Sequence, residues 1–261
     1  MMMFYIPFHL VSVSPWPFLG SFGSMNLLLG VLDTFNSKDF FLFLFSGLFI
    51  LLVAAQWWRD VIREGLWQGC HTLKVVSGLK LGMLLFIMSE LMLFVSFFWA
   101  YFHFYLAPSV ELGGIFPSFN ICVFDPMSIP LLNTVILLGS GVTITWGHHS
   151  ALGGNKFFLK LSVLLTLLLG GVFTVFQYLE YCEAFFTLGD SSYGSIFFLA
   201  TGFHGLHVLI GTIFILVNLY RIVMNQFSSY HHCGFEMSIW YWHFVDVVWL
   251  FLYLFIYWLS Y

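Results

Sequence analysis

Seven long apolar segments constrain this chain more than any other feature of its sequence. A helix that crosses a hydrocarbon core of about 30 Å needs roughly 20 apolar residues, and each segment is long enough. We therefore predict an all-α integral membrane protein with seven transmembrane helices, in which residues 1–261 form a single polytopic domain without repeats or linkers. The predicted spans lie near residues 15–33, 40–58, 73–106, 129–150, 156–182, 192–224 and 233–258.

The composition supports a membrane environment and excludes several classes of protein. Hydrophobic residues make up 61% of the chain and charged residues 8%, which is far from the soluble average. The net charge of -4 is spread thinly without a basic cluster, so nucleic acid is not an expected partner. The first residues lack a charged n-region, so we expect no cleavable signal. Single, scattered cysteines predict neither a disulfide framework nor a thiolate metal site.

Lysine and arginine collect in alternate loops and thereby predict the orientation. One set of loops carries seven of these residues and the other set carries one, so the positive-inside rule places the amino terminus inside and the carboxyl terminus outside. The first set comprises Arg59, Arg63, Lys74, Lys80, Lys156, Lys160 and Arg221, and the second comprises Lys38.

Glu90 lies at the middle of the third predicted span. An ionised carboxylate at that depth costs roughly 2.5 to 3.5 kcal/mol on insertion scales, so we expect the neutral form. Two interpretations stay open: a proton-accessible or regulatory carboxyl, and a neutral hydrogen bond with Ser89 or a neighbouring helix.

Four further polar residues reach a similar depth on the last two spans. His204 and His207 share a helix face at a spacing of i, i+3, and so do His243 and Asp246. A buried hydrogen-bond network of these four side chains is the favoured interpretation, because no organising motif indicates metal ligation.

Several histidines and arginines fall near span ends on the inner side. Adjacent histidines do not easily face one ion, so contacts at the membrane interface are the favoured interpretation and no metal site is predicted. The arginines suit lipid phosphates, although charge that merely sets the topology is the alternative. The histidines are His71, His148, His149, His231 and His232, and the arginines are Arg59, Arg63 and Arg221.

The sequence contains no GxxxxGKS, HExxH, GxSxG or CxxCH motif, so it predicts no catalytic residue and no haem attachment in this chain. One alternative is a secondary transporter that uses Glu90 and the His/Asp set as a proton relay, but transporters usually show internal repeats and broken helices. Another is a membrane metalloenzyme with histidine ligands.

Six blocks of sequence, in order, resemble the cytochrome c oxidase subunit III family over nearly the whole chain. They are SPWPFLGS, QWWRDVIREGLWQGCHT, SELMLFVSFFWAYFH, PLLNTVILLGSGVTITWGHHS, GSIFFLATGFHGLHVLIGT and HHCGFEMSIWYWHFVDVVWLFLYLFIYW. The resemblance implies that the first two helices are splayed from a five-helix bundle by a lipid-filled, V-shaped cleft. It also implies a non-redox subunit of a complex that reduces dioxygen with electrons from cytochrome c and pumps protons. This subunit is expected to stabilise that complex and to support proton uptake and dioxygen access.

The resemblance further implies roles for individual residues and partners. Glu90 matches the carbodiimide-reactive carboxyl of the family. Subunits I and II, which carry haem a and copper, accessory subunits and membrane phospholipids are the expected partners, and no cofactor is expected in this chain. Positions expected to hold lipid are Trp58, Arg63, Glu64, His71, Trp99, His103 and Arg221.

Two features of the sequence depart from the family pattern. Its length and composition, in turn, indicate a location. Cys70 replaces a histidine that is common in the family, and the segment GGIFPS differs from the usual tryptophan and proline pattern. The length, the seven spans and 34 phenylalanines resemble the mitochondrially encoded form. That form implies the inner mitochondrial membrane, with the amino terminus in the matrix and the carboxyl terminus in the intermembrane space.

Overall fold

The fold is known from a computed structural model that describes residues 7–110 and 113–261. Within these residues the chain is helical and contains no strand, as predicted. The last helix continues into a π-helical segment, Tyr253–Trp258. The helices are α1 (Trp16–Ser37), α2 (Phe41–Leu66), α3 (Leu73–Leu106), α4 (Ile129–Leu152), α5 (Lys156–Glu183), α6 (Ser192–Val223) and α7 (Cys233–Leu252).

All seven helices are long and apolar enough to cross a membrane, which confirms the predicted fold class. The mean hydropathy of their most apolar windows ranges from 1.3 to 2.2. Large apolar side chains such as Leu28, Phe45 and Leu85 are exposed on these helices. Such exposure is costly in water and favourable in lipid, so hydrocarbon is the medium that fits the surface.

The ends of two helices differ from the predicted spans. Helix α2 was expected to end near residue 58 but continues to Leu66, through Arg59, Asp60 and Arg63. Arginine and glutamate are good helix formers, so a helix can extend beyond the apolar run that marks the bilayer. Helix α1 similarly reaches Ser37, where its hydroxyl donates a hydrogen bond to the backbone carbonyl of Asp33.

The chain divides into two compact units, residues 1–79 and 80–261. The single domain and the lipid-filled cleft stay predictions. In the first unit, α1 packs against α2 where Gly30 faces the backbone of Phe43. A Cβ on Gly30 would lie 2.7 Å from that backbone, so glycine is what allows the two helices to approach so closely. The side chain of Trp16 also donates a hydrogen bond of 2.7 Å to Asp60.

In the second unit, α4, α5, α6 and α7 each pack against two of the others in a closed cycle. Helix α3 joins this group through long side chains, including a hydrogen bond between Tyr101 and Ser260 and a stack of Phe86 on Tyr241. Because α3 touches its neighbours through long side chains, there is room for polar side chains between the helices.

Trp242 is the centre of the packed core of the second unit and is fully buried. Its ring fits against Gly170 and Gly211, where an added Cβ would lie 2.8 Å and 3.0 Å from the ring. Its Nε1 donates a hydrogen bond of 2.8 Å to the hydroxyl of Ser140. A large side chain therefore occupies space that small residues on neighbouring helices leave open.

Candidate functional site

A carboxyl group and an imidazole meet at membrane depth in the second unit. The Oε2 atom of Glu90, on α3, lies 2.9 Å from Nε2 of His207, on α6. The side chain of His207 is 6% exposed and that of Glu90 is 24% exposed. Glu90 therefore bonds to a neighbouring helix, which is one of the two partners expected from the sequence.

Backbone geometry decides where the protons of this pair lie. Nδ1 of His207 is 2.6 Å from the carbonyl oxygen of Phe203, and a carbonyl only accepts, so Nδ1 carries hydrogen. Nε2 and Oε2 must then share a single proton, either as neutral acid and neutral imidazole or as carboxylate and imidazolium. Both arrangements have zero net charge, which lowers the cost of placing the pair in a low-dielectric medium.

Aromatic rings surround the imidazole and limit the access of water. Phe94 meets the His207 ring edge-on at a centroid distance of 5.2 Å, and Tyr241 stacks on it at 6.3 Å. Phe244 closes a third side at 6.2 Å. Glu90 is therefore the more accessible member of the pair.

Ser89 does not take part in the pair. Its hydroxyl donates a hydrogen bond of 2.6 Å to the carbonyl oxygen of Phe86 within the same helix. Serine in a membrane helix commonly satisfies its hydroxyl in this way. Ser89 is thus a natural control position next to Glu90.

His204 lies apart from the Glu90–His207 pair although it shares the same helix face as His207. It is fully buried, and its Nε2 lies 3.2 Å from the carbonyl oxygen of Val245 on α7. The ring also packs against Phe173 and Trp249. The contact with Val245 ties α6 to the backbone of α7.

His243 and Asp246 form a third, separate contact. Nδ1 of His243 lies 3.7 Å from Oδ2 of Asp246. The carboxylate of Asp246 packs against Gly141 on α4. A Cβ on Gly141 would lie 2.8 Å from Oδ2 of Asp246. Within residues 7–110 and 113–261, no hydrogen bond or ion pair joins these two residues to His204 or His207. His204, His207, His243 and Asp246 thus take part in three separate contacts and not in one network.

Comparisons with known proteins decide the family. The profile of the cytochrome c oxidase subunit III family matches residues 6–261. The chain belongs to this family. It is 56% identical to cytochrome c oxidase subunit 3 of Drosophila melanogaster over 252 residues, or 97% of this chain and 96% of that protein. The same subunit of Heterololigo bleekeri is 54% identical, with 97% of both chains covered. That of Rhipicephalus sanguineus is 52% identical over 257 residues, which cover 98% of this chain and all of that protein.

In this subunit III chain, four of the expected lipid positions lie in the first unit. The Arg63 side chain is 48% exposed, contacts Asp60 at 3.9 Å and lies over the ring of Trp67. Glu64 is 3.8 Å from Nδ1 of His9. Trp58 is 69% exposed, and the ring of His71 lies against Gly65. About half of the Arg63 side chain is therefore exposed.

The other three expected lipid positions of this family member lie in the second unit. Arg221 stacks on Phe227 with Cζ 4.2 Å from the ring centroid, and its Nε donates to the side-chain oxygen of Gln226 at 3.2 Å. Trp99 and His103 are exposed on α3. Arg221 is held in a fixed direction, whereas Trp99 and His103 present open side chains.

Sequence reasoning missed a buried acid on α5 of this subunit III chain. Glu180 is 1% exposed and lies one turn from Gln177, which is also buried. The buried hydroxyl of Tyr257 lies beside both side chains. The spacing of i, i+3 between two polar residues in an apolar run was the signal that would have drawn attention to them.

Proposed function

We propose that the chain is a non-redox core subunit of the respiratory cytochrome c oxidase, which reduces dioxygen to water and pumps protons. Subunits I and II, which hold haem a and copper, and accessory subunits are its partners. It lies in the inner mitochondrial membrane, with the amino terminus in the matrix and the carboxyl terminus in the intermembrane space. Membership of the subunit III family over residues 6–261 supports the assignment to the complex.

The observation that carries the proton-related part of this function is the Glu90–His207 pair. One mobile proton between a carboxyl and an imidazole, 2.9 Å apart, can be exchanged without leaving a net charge in the membrane. The pair can therefore accept or donate a proton when a neighbouring group or water reaches Glu90. In this function the subunit supports proton uptake, and the redox reaction proceeds in its partners.

Carbodiimide labelling of the purified oxidase complex tests the role of Glu90. A hydrophobic carbodiimide reacts with protonated, lipid-accessible carboxyls, so Glu90 is expected to take most of the label in this chain. Glu90→Gln should remove the label and slow turnover-linked proton uptake. Ser89→Ala is the matched control, because the Ser89 hydroxyl bonds only within α3.

Two results would contradict the proposal. Preferential labelling of another carboxyl, such as the buried Glu180, would show that Glu90 is not the accessible acid. Equal proton uptake in the Glu90→Gln and Ser89→Ala complexes would show that the pair has no role in it. Haem spectra should be the same in all complexes.

The lipid-binding part of the function is supported by guanidinium groups near helix ends. Arg63 has half of its side chain exposed, and the fork of a guanidinium suits a phosphate. Arg221 is orientated by Phe227 and Gln226. Each arginine would hold an anionic headgroup, and the aromatic side chains at Trp58 and Trp99 would contact acyl chains.

Replacement of Arg63 and Arg221 by alanine, singly and together, tests this part. The purified complex should retain less phospholipid and lose activity faster during turnover. Lys38→Ala is the control, because Lys38 follows α1 in a short loop and is not among the expected lipid positions. Unchanged phospholipid content in the double variant would contradict lipid binding by these arginines.

A further inference from the structure

Three potential metal ligands converge where α4 ends and α7 begins. His148 lies in the last turn of α4, His232 precedes α7, and Glu236 lies in the first turn of α7. One ligand atom from each residue lies within 4.8 Å of the other two. Residues far apart in the chain thus present two imidazoles and a carboxylate to one point.

In its neutral form, His232 directs the lone pair of Nε2 into this cluster. Nδ1 of His232 is 3.1 Å from the carbonyl oxygen of Ser228, which only accepts, so Nδ1 carries hydrogen. The side chain is 3% exposed, and its Nε2 has no hydrogen-bond partner within the described ranges. Nε2 lies 3.4 Å from Oε1 of Glu236, so two electron-rich atoms face each other unless a proton or a metal ion lies between them.

His148 adds a third potential ligand to the same point. Its ring centroid is 5.6 Å from that of His232, and its Nε2 is buried without a hydrogen-bond partner in the described structure. A single proton between His232 and Glu236 would leave Nε2 of His148 unsatisfied. A metal ion can bind all three atoms at once.

We propose that His148, His232 and Glu236 form a binding site for a divalent transition-metal ion, with Zn²⁺ as the best match. Two histidines and one glutamate are a known zinc ligand set that leaves a fourth position for water. Tetrahedral bonds of about 2.0 to 2.1 Å place neighbouring ligand atoms about 3.3 Å apart. The distance of 3.4 Å between His232 and Glu236 already meets this requirement.

The surroundings complete the site. Lys80 pairs with Oε2 of Glu236, which orientates the carboxylate and leaves Oε1 to face His232. The hydrogen bond from His232 to Ser228 orientates the imidazole in the way that outer partners orientate metal ligands. Glu236 is 19% exposed, so an ion can enter from the membrane surface.

The sequence predicted no metal site because adjacent histidines seldom face one ion. The structure separates the members of each adjacent pair: His149 and His231 are exposed, whereas His232 is buried and His148 is half-buried. Only one histidine of each pair enters the cluster, so the objection does not apply. The two exposed histidines provide matched control positions.

Zinc counting in the purified oxidase complex that contains this chain tests the site. The complex is stripped with a chelator, dialysed against a buffered concentration of free Zn²⁺ and analysed for bound zinc by mass spectrometry. His148→Gln and His232→Gln should each bind one zinc fewer than the unmodified complex, whereas His149→Gln and His231→Gln should bind the same number. Zinc held elsewhere cancels in these differences, and the measurement does not depend on turnover.

X-ray absorption at the zinc edge provides a second readout that needs no folded variant. The spectrum of the stripped and reloaded unmodified complex should contain a site with two imidazoles and oxygen ligands at about 2.0 to 2.1 Å. Equal zinc content in all four variants would overturn the proposal and indicate an imidazolium–carboxylate pair instead. A reloaded site without imidazole scattering would overturn it as well.

Discussion

The two compact units of this chain achieve close helix packing in different ways. In the first unit, glycine on α1 faces backbone on α2, as Gly30 does at Phe43. In the second unit, glycines on α5 and α6 face the large ring of Trp242. The first method brings two helices together and buries few side chains, whereas the second fills a core with aromatic groups. Polar side chains within the membrane-spanning helices are therefore paired mainly in the second unit, where neighbouring side chains shield them from lipid.

The two units also differ in how deeply the hydrogen bonds of their tryptophans are buried. Trp16 and Asp60 pair in a partly buried position at one end of the first unit. In the second unit, buried tryptophans bond to hydroxyls on α4: Trp242 to Ser140 and Trp249 to Thr134. In hydrocarbon a buried donor without an acceptor is costly, so each inserted indole requires a polar residue on the facing helix.

The largest expected effect comes from Gly30→Ala in the first unit. The added methyl group would lie 2.7 Å from the backbone of Phe43, which cannot rotate away, so α1 and α2 must separate. We expect a loss of about 3 kcal/mol, at the upper end of overpacking costs. Protease resistance of the α1–α2 region on heating measures it. Gly20→Ala is the control, because its methyl group would have an ordinary contact of 3.9 Å with Trp57.

Gly170→Ala should have the next largest effect and tests the second method of packing. Its methyl group would lie 2.8 Å from the Trp242 ring, which is confined by Gly211 on another side. We expect a cost of about 2 kcal/mol, measured as a lower thermal unfolding midpoint. The adjacent Gly171→Ala has open space around it and should leave the midpoint unchanged or slightly raised. Similar midpoints for both variants would refute the role assigned to Trp242.

Ser140→Ala should have a smaller effect that isolates the hydrogen bond from the packing. It leaves Nε1 of Trp242 buried without its acceptor, at a cost of about 1 to 2 kcal/mol in unfolding free energy. The double variant Ser140→Ala with Trp242→Phe should lose less than the sum of the single variants, because neither partner is then unsatisfied. Additive losses would mean that the hydrogen bond contributes nothing. Thr145→Ala, at an exposed position on α4, is the control.

Hydropathy predicted the seven spans closely but not where every helix ends. The bilayer requires that each backbone group within it be hydrogen-bonded in the same segment, so a long apolar run implies a helix. Outside the hydrocarbon that requirement ends, and the charged residues after Trp58 continue α2 for another two turns. Apolar periodicity contains no information on that extension.

The candidate site was predicted in part. The depth of Glu90 follows from its position in the third span, but its partner, His207, lies 117 residues further along the chain. The predicted network of His204, His207, His243 and Asp246 is instead distributed over separate contacts. Spacing along one helix shows which residues share a face, but it does not show which neighbouring helix that face meets.

The sequence by itself determined the medium, the number of helices and the family, because apolar length and ordered motifs are local properties of the chain. Tertiary structure decided which polar groups meet: Glu90 with His207, and His148 with His232 and Glu236. His148 and His149 are adjacent on α4 and point about 100° apart, so only one of them can face a given neighbour. Which one does so depends on how the helices rotate when glycine and aromatic side chains pack, and that rotation is a property of the whole assembly of helices.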